Sequence, residues 1–241
     1  MDGRPIVIQG AMNVEIEYLK SKINNLEELS IYEYKFYKGN INNYPVIISK
    51  TEIGIVNATL ATMIAIEKFD PYCIINQGVA GSHKLDIKKG DIIIAKDVAN
   101  INSFSTEKLY NGIEPLKWNL KMTRLANDEE KQKLESDEEL LKIFSNNDNT
   151  KSVYCGTIGS GDVWNRETDR IKQISDLLGT LCEDMESIGT YTTSYRCNAK
   201  VIGVRCISNN EMTGEEYDRN TAIECQKFVY DKIVELINMR R

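Results

Sequence analysis

The stretch YCIINQGVAGS, residues 72–82, decides the fold class, because an apolar run of strand length ends abruptly at Gly78 and Gly81. A short apolar run bounded by turn residues is typical of a buried strand. Similar runs rich in Ile and Val recur along the chain and alternate with segments that have a helical period of about 3.6 residues. This alternation predicts an α/β sheet protein.

The predicted elements cover most of the chain. The strand candidates are Pro5–Gln9, Tyr34–Tyr37, Tyr44–Lys50, Tyr72–Gln77, Asp91–Ala99, Ser152–Ile158, Thr180–Asp184 and Lys200–Ile207. The helix candidates are Asn13–Ile23, Val56–Phe69, Asn127–Ser145, Asn165–Leu178, Ser187–Cys197 and Glu216–Met239. No linker rich in Pro, Gly or Ser interrupts them. We therefore expect residues 1–241 to form one domain, a mixed central β-sheet flanked by helices in three α/β/α layers.

The charge distribution limits the partners. The net charge of −6 is spread along the 241 residues without a basic stripe, so a nucleic-acid partner is not expected. An apolar segment long enough to span a membrane is absent from the sequence, as is a leader-like apolar region after Met1. We expect a soluble cytoplasmic protein without a membrane partner.

The cysteines and the single histidine point away from metal and thiol chemistry. The cysteines stand in or beside apolar runs without a CxxC pair, which predicts buried free thiols: they are Cys73, Cys155, Cys182, Cys197, Cys206 and Cys225. His83 lies in a Gly-Ser-His-Lys turn and is expected to be a partly exposed loop residue. We therefore expect no metal, no cofactor and no histidine base.

The segment Asn100–Thr150 is more polar than its surroundings and contains Pro115. It is predicted to be a long excursion over the main sheet, and such excursions often cover a ligand site.

Ligands of α/β sheets bind beyond the carboxyl ends of the strands, so the residues that follow each strand are the candidate site residues. In the first of these segments, Glu15 falls beside the apolar helix stripe of Met12 and Ile16 at about 100° per residue. An acid at the edge of a buried face is costly unless it is used or paired, whereas an exposed acid in the first turn of a helix is common. This segment alone favours neither interpretation of Glu15, a used or paired buried acid or a partly exposed acid at the helix N-terminus.

Later segments add further candidates. Trp164, in a glycine-flanked loop, is either a stacking platform for a ring or a packing anchor. Arg205 ends an apolar strand, and a nearly buried guanidinium requires an anionic partner. The Gly-x-x-Gly loop at Gly78 is weak evidence for ligand binding, since it lacks the ending of a phosphate-binding P-loop.

Taken together, these segments resemble the 5′-methylthioadenosine/S-adenosylhomocysteine nucleosidases of the nucleoside phosphorylase and nucleosidase superfamily. The matching pieces run in order through nearly the whole chain: Gly10-Ala11-Met12 with Glu15, Ile53-Gly54-x-Val56, Ile75-Asn76-x-Gly78-x-Ala80-Gly81, Gly90-Asp91-Ile92, Ser160-Gly161-Asp162, Met185-Glu186 and Arg205-x-Ile207-Ser208. The resemblance implies a hydrolase for the N-glycosidic bond of purine nucleosides, with water as the second substrate, a role in nucleoside catabolism or salvage, and a homodimer whose partner subunit closes the 5′ pocket.

The resemblance also implies roles for the matching residues. Glu15 would hold and deprotonate the attacking water with help from Arg205, and Glu186 would bind the ribose hydroxyls. The pocket would be completed by Met12 and Met185 on the sugar, Trp164 on the base, the backbone of Asn165 at the base edge, and Ile53, Gly78 and Val79. Carboxylates beneath the ribose suit glycosidic cleavage, because they stabilise an oxocarbenium-like transition state.

Two positions depart from the family. Asn209 stands where the family has the acid that protonates N7 of the leaving purine, and an amide cannot supply that proton. It can donate to a 6-oxo oxygen and accept from a protonated N7, so we expect a 6-oxopurine or a modified guanine-like base. Val79 replaces a serine near the attacking water and implies a drier or reshaped pocket.

Other readings remain open at this point. Asp184, Glu52 and Glu211 are expected to be solvated loop carboxylates, with replacement of the missing acid as the alternative. Three alternative functions are a methylthioadenosine/S-adenosylhomocysteine nucleosidase, a purine nucleoside phosphorylase and a nucleoside-binding protein with weak catalysis.

Overall fold

The computed structural model of the chain describes residues 3–105, 121–122, 133–146 and 152–240. Its strands are β1 (Ile6–Gly10), β2 (Asn24–Ile31), β3 (Tyr34–Ile41), β4 (Tyr44–Lys50), β5 (Cys73–Ser82), β6 (Ile92–Asn100), β7 (Phe104–Ser105), β8 (Lys121–Met122), β9 (Lys133–Glu135), β10 (Val153–Ser160), β11 (Thr180–Asp184) and β12 (Val201–Asn209). Its helices are α1 (Glu17–Ser21), α2 (Ile55–Phe69), α3 (Glu138–Ser145), α4 (Thr168–Leu178), α5 (Ser187–Arg196) and α6 (Thr221–Met239), with a 3₁₀ turn at Asn13–Glu15.

One mixed ten-stranded sheet organises the described residues. Its strands follow the order β11-β10-β6-β12-β5-β1-β4-β3-β2, and β9 pairs with β6. β1, β5 and β12 are parallel neighbours, and nearly all of their residues are buried. Helices cover both faces, which is why these strands are apolar throughout instead of alternating.

The sheet also closes on itself at one end. β11 pairs with β10 in parallel and with β5 in antiparallel fashion, so β5, β12, β6, β10 and β11 form a ring. Closure brings the carboxyl ends of strands that are far apart in sequence to one rim, where the functional residues are found.

Two apolar layers hold the helices to the sheet. On one face Ile6 and Ile8 of β1 pack with Leu19 of α1 and Val229 of α6. On the other face the same strand buries Val7, which packs in the layer of α2 and α5. The predicted mixed sheet with helices on both sides is thus confirmed.

Several predicted boundaries were wrong. The predicted helix Asn13–Ile23 contains only the 3₁₀ turn and the short α1, and β2 was missed because its residues are mostly polar and exposed. The predicted helix Asn127–Ser145 lies partly outside the described residues; its described part is β9 followed by α3.

The glycine segment after Gln77 was predicted to be a loop, but it continues β5 to Ser82. The excursion at residues 100–150 is described only in part, and Leu140 and Phe144 of α3 belong to the core instead of covering a site. None of the described helices is long and apolar enough to cross a membrane.

Candidate active site

A cavity of about 330 Å³ opens at the rim where the strands end. Its walls come from the residues after β1, the end of β5, the loop after β10, the end of β11 and the end of β12. The lining residues are Ala11, Met12, Glu15, Ile53, Val79, Ala80, Gly81, Val163, Trp164, Glu183, Asp184, Met185, Glu186, Ser208, Asn209 and Tyr217. Most of the predicted site residues therefore meet in one place.

Glu15 is a buried carboxylate fixed by main-chain donors. Its Oε2 accepts hydrogen bonds from the N–H groups of Ala11 and Met12 at 2.8 and 3.0 Å, and its Oε1 accepts one from Val79 at 3.0 Å. Burial raises the pKa of Glu15, and the N–H donors and the charge of Arg205 oppose that rise. A carboxylate held in this way has a fixed position, and because Glu15 is only 4% exposed, the alternative of a partly exposed residue in the first helical turn was wrong.

Gly78 makes room for this carboxylate. A Cβ at position 78 would lie 2.5 Å from Glu15 Oε1, closer than any real contact. Gly78 therefore lies behind Glu15, while the neighbouring Val79 lines the cavity and donates its N–H to the same oxygen.

Arg205 lies outside the cavity lining and is 1% exposed. Its Nη2 is 2.6 Å from Asp184 Oδ2 and donates to Ser187 Oγ and Asn76 Oδ1, while Nη1 donates to the Asn76 carbonyl at 3.0 Å. The expected anionic partner is thus Asp184. The expectation of a solvated Asp184 was wrong, because this carboxylate is the counter-ion of a buried guanidinium.

Glu186 lines the same cavity as Glu15 and is the N-cap residue of α5. Its Oε1 accepts the N–H of Gly54 at 3.2 Å. Burial, together with the negative charges of Asp184 and Glu15, raises the pKa of Glu186 to about 8. The pKa values of both carboxyl groups are therefore higher than those of ordinary surface acids, which is common at functional sites.

The remaining wall is apolar and partly open. Met12, Met185 and Ile53 line it, and Trp164 is 50% exposed with its ring 6.3 Å from that of Tyr217, at an angle of 60°. Two tilted aromatic rings at the mouth of a cavity offer flat faces to a planar ligand. Sequence reasoning missed Tyr217, which lies in a loop without a recognisable motif.

Asn209 lies on the cavity wall at the end of β12. Its Oδ1 accepts from Ser208 Oγ at 2.9 Å, and its Nδ2 donates to Glu211 Oε1 at 3.3 Å. Glu211 is also 3.4 Å from Arg166 Nε, whereas Glu52 is exposed and pairs with Lys50. The amide predicted to meet the base is therefore in the cavity, with a carboxylate directly behind it.

Asn165 and His83 differ from expectation. The main-chain N–H of Asn165 donates to Glu183 Oε1 at 2.7 Å and its Nδ2 donates to Glu183 Oε2 at 2.6 Å, so Asn165 lies behind Glu183 instead of lining the cavity. His83 is buried, with Nε2 3.1 Å from Glu183 Oε2 and Nδ1 2.7 Å from Thr180 Oγ1. The prediction of a partly exposed His83 was wrong, because β11 folds back onto the loop that carries it.

The cysteine prediction holds for four of the six residues. Cys73, Cys182, Cys206 and Cys225 are buried free thiols, while Cys155 is exposed and Cys197 is partly exposed. Within the part of the chain that the structure describes, no group of three or more His, Cys, Asp and Glu residues is placed to hold a metal ion.

The family comparison agrees with this geometry. Residues 5–237 match the model of the Phosphorylase superfamily. The chain belongs to that superfamily. The match spans every strand of the described sheet and all the residues that line the cavity.

Sequence comparison with individual proteins narrows the superfamily to one enzyme family. The chain is 30% identical over 207 residues to the 5′-methylthioadenosine/S-adenosylhomocysteine nucleosidase of Staphylococcus haemolyticus, covering 85% of this chain and 86% of that one. It is 28% identical over 234 residues to the Staphylococcus aureus protein of the same name, covering 93% and 96%. The suspected family is thus confirmed.

Solved structures show the same fold. The Neisseria meningitidis nucleosidase in complex with methylthio-immucillin-A superposes with a TM-score of 0.81 at 21% identity, covering 95% of this chain and 98% of that one. An aspartate-to-asparagine variant of the Helicobacter pylori enzyme, with 5′-methylthioadenosine in its active site, gives 0.82 at 22% identity, covering 96% and 99%.

Proposed function

We propose that this chain hydrolyses the N-glycosidic bond of a purine nucleoside. The observation that carries the proposal is the pair Glu15 and Glu186, a buried and a partly buried carboxyl group that line one cavity from different elements. The names of the relatives, all nucleosidases, support the same reaction class.

The chemistry follows from the fixed position of Glu15. A water molecule between Glu15 and the anomeric carbon passes a proton to the carboxylate while its oxygen forms a bond to that carbon. The bond to the base nitrogen breaks, and its electron pair leaves with the base. Glu186 holds the ribose hydroxyls, and the negative charge of Glu15 stabilises the positive charge that grows on the sugar ring.

Arg205 is a positioning residue in this scheme. It lies outside the cavity lining, and it holds Asp184, whose Oδ1 accepts the N–H groups of Glu186 and Ser187 at 3.2 and 3.1 Å. The first turn of α5, and with it Glu186, is therefore anchored to the buried ion pair.

The leaving base is proposed to be a 6-oxopurine or a related guanine-like base. Asn209 supports this choice, because its amide can donate to a 6-oxo oxygen and cannot protonate N7 of adenine. The relatives are named for adenosine-derived substrates and give this preference no support, so methylthioadenosine and S-adenosylhomocysteine are the second candidate substrates.

The test is base release from a panel of nucleosides, followed chromatographically with and without phosphate. The panel contains adenosine, 5′-methylthioadenosine, S-adenosylhomocysteine, inosine and guanosine. Hydrolysis that is independent of phosphate is expected, and Glu15→Gln should lower kcat by about 10²- to 10⁴-fold, the usual contribution of a general base. A strict requirement for phosphate would identify a phosphorylase instead, and tight binding without base release would identify a binding protein.

We also propose that the chain forms a homodimer through α2. Val56, Leu60 and Met63 form one exposed apolar row on this helix, which begins next to the cavity residue Ile53. Light scattering should give a dimer mass for the wild type and a monomer for Leu60→Asp, whereas Leu177→Asp, an equally exposed leucine on α4, should stay dimeric. A monomeric wild type would contradict this.

A further inference from the structure

Glu183 is a second kind of acid in the cavity, one that the hydrolytic steps do not use. It lies on β11, lines the cavity and is 6% exposed. Leaving a carboxylate this deeply buried is costly unless donors satisfy it. The hydrogen-bond donors around the Glu183 carboxylate therefore determine which ligand groups it can still bind.

Donors of the protein satisfy most of Glu183 but not all of it. Oε1 accepts the Asn165 N–H, and Oε2 faces both Asn165 Nδ2 and His83 Nε2. A carboxylate offers roughly four lone-pair directions, so about one remains for a ligand. Asn165 Oδ1, next to this group, is buried and has no hydrogen-bond partner among the described residues.

Register places Glu183 and Asn209 on either side of one glycine. Glu183 pairs with Gly81 across β11 and β5, and Asn209 pairs with Gly81 across β5 and β12. Residues paired directly across strands share a face of the sheet, and a Cβ at Gly81 would lie only 3.2 Å from Asn209 Nδ2. Gly81 lines the cavity and places no side chain between the two residues with which it pairs.

This arrangement distinguishes purines by hydrogen-bond pattern. A carboxylate oxygen accepts only, so it pairs with the N1–H of hypoxanthine and with the N1–H and 2-amino group of guanine. In adenine N1 is itself an acceptor, and two acceptors would face each other. On the other side of Gly81, the Asn209 amide can donate to O6.

We propose that Glu183 is the residue that determines base specificity, and that it selects purines carrying a hydrogen on N1. The proposal rests on the proposed nucleosidase function and adds to it a second, independent recognition group. His83 and Asn165 are positioning residues that orient the carboxylate from behind.

The first test needs no substitution. The wild type should cleave inosine at least about 100-fold faster in kcat/KM than adenosine, since a site built to bond a substrate N–H rejects analogues that lack it strongly. 1-Methylinosine, which has no N1–H, should lose that advantage. Each comparison is repeated with the 5′-methylthio derivatives, so that the 5′ group does not decide the result.

The second test is Glu183→Gln, with Glu216→Gln as the matched control on an exposed carboxylate outside the cavity. The glutamine amide can donate to N1 of adenine, so the inosine-to-adenosine ratio of kcat/KM should fall by about 100-fold or more. The control should leave it unchanged. An equal loss on both nucleosides, or a wild type that prefers adenosine and accepts 1-methylinosine as well as inosine, would overturn the proposal.

Failure of the proposed function is separable from failure of this inference. If no nucleoside releases its base, calorimetry with free hypoxanthine and adenine still measures selection. Tighter binding of hypoxanthine by the wild type, with the order reversed in Glu183→Gln, would support the role of Glu183. Equal binding of both bases would contradict it.

Discussion

Replacing Asn209 with aspartate would put an acid where the cavity now holds an amide. In the present structure Asn209 Nδ2 is 3.3 Å from Glu211 Oε1. A carboxyl at position 209 would therefore lie directly against a second carboxyl. Arg166 lies 3.4 Å from Glu211, but it offsets little of this repulsion, because its side chain is 71% exposed and solvent screens its charge.

The distance sets the size of the effect. Two unit charges about 3.3 Å apart repel by about 5 kcal/mol at an effective dielectric constant of ~20. Since each pH unit corresponds to about 1.4 kcal/mol, the two carboxyls of Asn209→Asp would hold one proton between them at neutral pH. That proton would be available to N7 of the leaving base, and a general acid usually contributes about 10²- to 10⁴-fold in rate.

The assay is kcat/KM for 5′-methylthioadenosine and for inosine across pH 5 to 9, values chosen as roughly the range in which such a proton is lost. We expect Asn209→Asp to raise the rate on the adenine nucleoside about 100-fold and to lower that on inosine by up to about tenfold, the value of one neutral hydrogen bond. Adding Glu211→Gln should move the alkaline decline of kcat/KM to lower pH, because the second carboxylate no longer repels the charge at position 209. Asn220→Asp, the same exchange outside the cavity, is the control. An unchanged rate on the adenine nucleoside would refute the reasoning.

Three further outcomes follow from the same geometry. Arg205→Met should lower the free energy of unfolding by about 3–5 kcal/mol in urea titrations, because it leaves Asp184 charged and buried without a partner; a loss below about 1 kcal/mol would contradict the buried pair. Burial raises the pKa of Glu186 to about 8, so its protonation stabilises the folded state fully below about pH 4.5, and this contribution disappears as pH rises through 8. Denaturation at pH 5 and pH 9 should therefore show a smaller loss of unfolding free energy with pH in Glu186→Gln than in the wild type. Gly78→Ala should reduce kcat by about 100-fold or more by displacing Glu15, while a fully active variant would show that the carboxylate position is not required.

Much of this site could be predicted because its residues follow strands. Glu15 and Asn209 each stand just after, or at the end of, an apolar strand, and the sheet brings such positions to one rim. The order of short motifs along the chain then identified the family. The strand β5 and the helix α2 were predicted for the same reason, since their apolar patterns are strong.

The parts that escaped prediction depend on contacts distant in sequence. Nothing local shows that Asp184 pairs with Arg205, or that His83 is buried beside Glu183, because both depend on the folding back of β11 onto β5. β2 was missed because a hairpin strand stabilised by its partner needs little apolar pattern of its own.

The two glycines of β5 divide the site into parts that can change separately. Gly78 supports the carboxylate proposed to activate water, and Gly81 separates the groups proposed to read the base. They are three residues apart, about 10 Å of strand. We therefore expect that substitutions around Gly81 can change the preferred nucleobase without moving the Glu15 carboxylate. Proteins of this fold could in this way diverge in substrate while keeping the same hydrolytic residues.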